Sequence, residues 1–187
     1  IDLSKNTALT YLDLGSNKIS SIDLGNNTAL TDLNLYFNEI SSIDLSNNVA
    51  LTYLSLHINK LSNIDLSKNT LLADLDLQSN NISNIDLSNN TSLIKLDLSC
   101  NNLNNIDLNE NKALTSLDLR SNNLSSIDLS ENTNLTDLNL TSNKISGIKL
   151  YDNYDISELK DDIENQDAYQ TNLELRSNRI INLTKDY

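Results

Sequence analysis

Leucine returns along this chain at fixed intervals. LTYLDLGSNKI from Leu9, LTYLSLHINKL from Leu51 and LTSLDLRSNNL from Leu114 share one frame, L-x-x-L-x-L-x-x-N-x-[IL]. Ahead of each lies an apolar pair, the IDL that begins at Ile1, Ile22, Ile43, Ile64, Ile85, Ile106 and Ile127, with IKL at Ile148; every interval is 21 residues. A short period repeated this often signals stacked supersecondary units. Within L-x-L the alternation is period two, so Leu96 and Leu98 share one face while Lys95 and Asp97 share the other. That pattern predicts one short strand per copy with a buried face. A lone strand cannot bury that face, but copies stacked about 4.8 Å apart form a parallel sheet over a continuous core.

The polar positions are equally regular. Asn17, Asn38, Asn59, Asn80, Asn101, Asn122 and Asn143 stand where the chain must turn away from the sheet. Turning frees backbone N–H and C=O groups near the core, and an amide side chain offers donors and an acceptor to both. A stacked asparagine ladder is therefore expected. On the other side of each coil, Ile85 and Leu87 should point in and Asp86 out, followed by a polar turn of the SNNTS type. That turn is too short for a full helix, so this side should be extended or turn-like.

After residue 153 the frame is interrupted. In DISELKDDIENQ, Asp155 with Glu158 three positions on reads as a capping-box-like start, and Ile156, Leu159 and Ile163 share one helical face. One short helix near the C-terminus is predicted. The frame then resumes with Leu173, Leu175, Asn178 and Ile180. The organisation read from this is a repeat region over 1–153 and an irregular unit over 154–187, either a terminal cap or a junction to another domain. Ile1 already lies inside a repeat, so the chain reads as part of something longer.

This frame resembles the leucine-rich-repeat family, and the 21-residue unit with Asn-rich turns is most similar to bacterial surface repeats of the internalin type. The resemblance implies a mostly β solenoid of the α/β class: a right-handed superhelix with a parallel concave sheet. It also implies a monomer that binds partners on the concave face, and a place on the bacterial cell surface or in the secreted fraction. Some relatives with 21-residue units carry a strand cysteine that forms a thiol ladder. Here that inward position holds Leu, and Cys100 falls two residues later.

Composition narrows the function. The hydrophobic fraction of 38% over 187 residues suffices for one domain with a real core. A net charge of −13 and a pI near 4.2 argue against a nucleic-acid or anionic-membrane partner, both of which need a basic footprint. No apolar run approaches the ~18 residues of a membrane span.

The outward strand positions carry the candidate chemistry. Before the second Leu stand Tyr11, Asp32, Tyr53, Asp74, Lys95, Ser116 and Asp137, and between the strand leucines Asp13, Asn34, Ser55, Asp76, Asp97, Asp118 and Asn139. After the strand come Gly15, Tyr36, His57, Gln78, Ser99, Arg120 and Thr141, then Ser16, Phe37, Ile58, Ser79, Cys100, Ser121 and Ser142. In these rows the large apolar and aromatic groups, Tyr11, Tyr36, Phe37, Tyr53, His57 and Ile58, all fall in the first three copies. They are expected to form one binding patch, with Tyr36 on His57 and a rim of Asp13, Asp32 and Asn34. The competing account makes Phe37 and Ile58 core residues at the sheet edge and the tyrosines scattered surface.

Other features are weaker. His57 has no second His or Cys for a metal, and Ser55 nearby has no evident orienting group, so neither cofactor nor catalysis is expected. Asp2, Asp23, Asp44, Asp65, Asp86, Asp107 and Asp128 form a second row whose repulsion must be offset, by neighbouring hydroxyl and N–H groups or else by Ca2+. No acidic loop of a calcium-binding pattern accompanies that row. Glycosylation sequons such as those at Asn81 and Asn134 are expected by chance in so Asn-rich a chain. The reading that results is a non-catalytic module binding a protein or glycan. A stiff acidic spacer and an intracellular effector repeat are the alternatives.

Overall fold

The computed structural model describes residues 1–150 and the strand residues 173–174 and 182–185. Each L-x-L motif forms a strand: β1 (Tyr11–Asp13), β2 (Asp32–Asn34), β3 (Tyr53–Ser55), β4 (Asp74–Asp76), β5 (Lys95–Asp97), β6 (Ser116–Asp118) and β8 (Asp137–Asn139). With β10 (Leu173–Glu174) they form one parallel sheet in the order β1-β2-β3-β4-β5-β6-β8-β10. The register repeats without slip: Leu12 pairs Leu33, Leu33 pairs Leu54, Leu54 pairs Leu75, and so along the sheet. On the opposite side β7 (Ser126–Leu129), β9 (Gly147–Leu150) and β11 (Asn182–Lys185) pair in parallel, and the earlier IDL segments are turns and extended chain.

The core is a column of leucine. In the third copy Leu51, Leu54, Leu56 and Leu61 are fully buried, with Leu45 closing the far side. The isoleucine of IDL is sealed less well than the pattern implies. Ile85 and Ile127 are buried, but Ile22, Ile43, Ile64 and Ile106 only pack against the core's edge.

The predicted asparagine ladder is present. Asn80 Nδ2 donates to the carbonyls of Leu56 at 3.0 Å and Leu77 at 3.1 Å, while its Oδ1 accepts from the Leu61 N–H at 3.0 Å. Each amide thus ties its own copy to the preceding one. A second ladder, unforeseen, runs through the polar turn. Asn27, Asn48, Asn69, Asn90, Asn111 and Asn132 are buried, and Asn69 Nδ2 donates to the Leu45 carbonyl at 3.1 Å and the Asn48 carbonyl at 2.9 Å. The backbone turns twice about this residue, with Asn69 N–H bonded to Leu66 O and Leu72 N–H to Asn69 O. The same turn in the preceding copy gives the Leu45 and Asn48 carbonyls one N–H each, and the Asn69 amide adds a second donor to both, tying the copies together.

No helix occurs among the described residues. The predicted helix over 155–166 lies outside them. The predicted resumption of the frame is partly visible, because Leu173 pairs with Leu138.

Candidate recognition surface

The sheet's outer face displays the predicted rows. Tyr11 is 62% exposed, Phe37 55% and Ile58 42%, while Tyr36, Tyr53 and His57 are half-buried. The account that places Phe37 and Ile58 in the core therefore fails. Both also occupy an unusual backbone state. The row Ser16, Phe37, Ile58, Ser79, Cys100, Ser121 and Ser142 lies in the left-handed region, with φ of 50° at Phe37 and 54° at Ile58. For residues with a Cβ this conformation is disfavoured by roughly 1–2 kcal/mol, and a β-branched side chain is the worst suited to it. The turn geometry recurs at every copy, yet only the second and third place large apolar groups there.

One aromatic contact is held from several sides. The rings of Tyr36 and His57 stack with centroids 5.0 Å apart and planes inclined by 20°. Beneath Tyr36 lies Gly15, where an added Cβ would sit 1.9 Å from Tyr36 Cε1. Gly15 has no left-handed backbone to explain it, so its role is to leave room for the ring. On the far side, His57 Nδ1 lies 2.8 Å from Asp76 Oδ2 and 2.9 Å from Ser55 Oγ. Gly15→Ala should displace the Tyr36 ring and leave overall stability within about 1 kcal/mol, because its backbone suits alanine. The check is the ring-current shift of the His57 protons by NMR; a shift unchanged in the variant would refute the packing role.

The geometry around His57 is not that of a nucleophile and base. Ser55 is buried, and it shares Nδ1 with the carboxylate. In a nucleophilic relay the hydroxyl and the orienting carboxylate sit on opposite ring nitrogens. Here both groups instead converge on Nδ1 and fix the ring's plane. Asp76 is the orienting partner that sequence reading missed.

The rim is wired into the sheet. Asn34 donates to Asp13 at 3.2 Å, the Tyr11 hydroxyl reaches the same carboxylate at 3.4 Å, and Thr31 donates to Asp32 at 2.6 Å. Burial pushes the carboxyls of Asp74 and Asp76 above the usual carboxylate range, against the lowering effect of Lys95 on the first and of the Gln78 N–H and His57 on the second. Burial likewise pushes the Tyr53 hydroxyl up. Tyr11 and Tyr53 do not adjoin; Asp32 stands between them in the register.

The second aspartate row has a local explanation. Asp44, Asp65 and Asp86 each accept the backbone N–H two residues on, at 2.9 to 3.0 Å, and Asp2, Asp23, Asp107 and Asp128 do the same. Hydrogen bonds from Ser46, Ser67 and Ser88 hold the carboxyls of Asp44, Asp65 and Asp86 below their ordinary range. Among the described residues no group of three or more His, Cys, Asp or Glu is placed to hold a metal ion. Large exposed apolar groups also occur away from the patch, at Val49 and Leu71 in the turns and at Ile94 before β5. Cys100 is exposed and free.

Parallel strands stacked at a constant period, with two amide ladders and one leucine column, define a repeat-protein scaffold. A leucine-rich-repeat family model matches residues 5–24, 89–108, 110–130 and 131–148. No curated protein matches the sequence. Among solved structures, the functional domain of InlJ from Listeria monocytogenes, which includes a cysteine ladder, superposes with a TM-score of 0.79 at 30% identity, covering 100% of this chain and 46% of that one. Internalin C2 from Listeria monocytogenes superposes with a TM-score of 0.71 at 24% identity, covering 100% of this chain and 84% of that one. The plant peptide hormone receptor RGFR1, solved in complex with RGF2, gives 0.67 at 27% identity over 80% of this chain and 27% of the receptor. The fold is a leucine-rich-repeat solenoid, similar to that of the internalins. The chain spans less than half the length of the InlJ chain it matches. Among the described residues no helix is long and apolar enough to cross a membrane.

Proposed function

We propose that this chain is a non-catalytic recognition module of a bacterial surface or secreted protein, and that it engages a protein or glycan ligand on the outer, concave face of its long sheet. The contact residues are Tyr11, Tyr36, Phe37, Tyr53, His57 and Ile58, with Asp13, Asp32 and Asn34 at the rim. The observation that carries this reading is the pair Phe37 and Ile58, held in left-handed backbone and left in solvent. Neither burial nor conformational preference accounts for large apolar groups there, whereas contact with a partner does. The fold supports it in coarser form, since a receptor of the same architecture holds a peptide hormone. The stacked Tyr36–His57 pair adds rigid area that loses little entropy on binding.

The combined substitution Tyr11→Ser, Tyr36→Ser and Tyr53→Ser tests it. Retention of domain-coated beads on cultured epithelial cells, and binding to an immobilised glycan array, are expected to fall at least about tenfold, since removing each aromatic side chain costs on the order of 1 kcal/mol or more. Undiminished retention in the triple variant would leave the acidic-spacer reading in its place.

A further inference from the structure

We propose that the exposed face of β1 to β4 receives Lys or Arg side chains of a partner polypeptide, seated among alternating tyrosine and aspartate residues of one row. The inference rests on the recognition reading above and names the chemistry of its partner.

The register builds the row. Tyr11 pairs with Asp32, Asp32 with Tyr53, and Tyr53 with Asp74. Neighbouring strands lie about 4.8 Å apart, so each carboxylate in the row lies within one strand spacing of a tyrosine, and the two carboxylates are about 9.6 Å apart. The next row adds Asp13 and Asp76, and the third adds the Tyr36–His57 stack. An aromatic face attracts a cation through its quadrupole, and a carboxylate adds a charge-assisted hydrogen bond. A guanidinium or ammonium group laid on this face meets both.

Elsewhere some carboxylates meet a lysine of the same chain. Lys60 reaches across one copy to Glu39 at 2.9 Å, Lys112 reaches Glu131 at 2.7 Å, and Lys149 reaches Asp128 at 3.3 Å. On the face of β1 to β4 the lysine device is missing, and the basic side chain set against a carboxylate there is His57, beside Asp76. None of the outward positions of these strands, nor the two positions after each L-x-L, carries Lys or Arg. The first cations on this face are Lys95, at the far edge beside Asp74, and Arg120, whose Nε lies 3.5 Å from Asp118. Asp13, Asp32, Asp74 and Asp76 thus face outward together, and burial already makes the charged forms of Asp74 and Asp76 less favourable. A partner's cation would offset this. A neutral glycan would cover the same carboxylates without compensating them.

Two peptides of equal length separate charge from shape: one with three arginines spaced by Gly-Ser, and the same sequence with neutral citrulline in place of arginine. Binding is read by fluorescence anisotropy at physiological salt. The arginine peptide is expected to bind, and the citrulline peptide at least about tenfold more weakly. The double variant Asp32→Asn, Asp74→Asn should lose about tenfold for the arginine peptide, while Asp65→Asn, Asp107→Asn, which removes equal charge from the other side, should stay within about twofold. Equal losses in the two variants would mean bulk attraction to an acidic protein and would overturn the proposal, as would equal binding of the citrulline peptide. The cell-retention assay keeps the two readings apart. If the tyrosine variant loses retention and Asp32→Asn, Asp74→Asn does not, the cationic partner is refuted and the recognition reading stands. If neither variant loses retention, both fall.

Discussion

Replacing Asn80 with alanine is expected to lower the solenoid's stability by about 2–4 kcal/mol. The side chain is buried, and its amide serves the Leu56 and Leu77 carbonyls and the Leu61 N–H. Removing it leaves the Leu61 N–H without a partner in an apolar interior, at about 1–3 kcal/mol, and takes one of two amide donors from each carbonyl, since Asn59 also donates to Leu56 and Asn101 to Leu77. Asn69→Ala takes one of two donors from each of two carbonyls and strands no N–H, so its loss should be smaller. Asn80→Asp keeps the shape and the acceptor but turns lone pairs toward two carbonyls, and its charge is buried among leucines. It should be worse than alanine at neutral pH. Urea denaturation followed by circular dichroism measures all three. Each copy touches only its neighbours, so amide exchange should show protection lost first around the third to fifth copies. A loss below about 1 kcal/mol for Asn80→Ala would mean the ladder is not what binds the copies.

The two ladders show what could be read in advance and what could not. Asn80 follows an L-x-L strand, so the need for an amide at that turn is visible in the local frame. Asn69 stands in SKNTLL among other polar residues, where nothing local separates a buried asparagine from a solvated one. The signal was in the period: Asn6, Asn27, Asn48, Asn69, Asn90, Asn111 and Asn132 recur at 21 residues without exception, while the position before them varies among Lys, Asn and Glu. Strand register was legible because a slip of one residue would turn every leucine to solvent.

The patch was legible only as a set of side-chain types. That Tyr36 and His57 would stack followed from their shared position one copy apart. That Gly15 makes room for Tyr36, and that Asp76 reaches back to His57, depends on which way each side chain leans along the sheet. The left-handed row was hidden because no glycine marks it. Serine fills four of its seven positions and points to no special backbone.

That row yields a prediction in which two properties move in opposite directions. Ile58→Asn should stabilise the fold by about 1 kcal/mol, because asparagine tolerates left-handed backbone better than any β-branched residue. Little apolar packing is sacrificed, since Ile58 is already 42% exposed and the leucine column lies beneath it. Phe37→Asn should act in the same direction. The two sites are on adjacent copies, joined where the Phe37 N–H bonds the His57 carbonyl, so the double variant need not equal the sum. Retention on cells should fall in the same variants that melt higher. Binding surfaces keep such strain because the partner, not the fold, benefits from the displayed side chain. A thermal melt and a retention assay on one preparation suffice. If Ile58→Asn instead destabilised the fold by about 2 kcal/mol or more, as core truncations do, the side chain would belong to the core and the patch would lose its strongest argument.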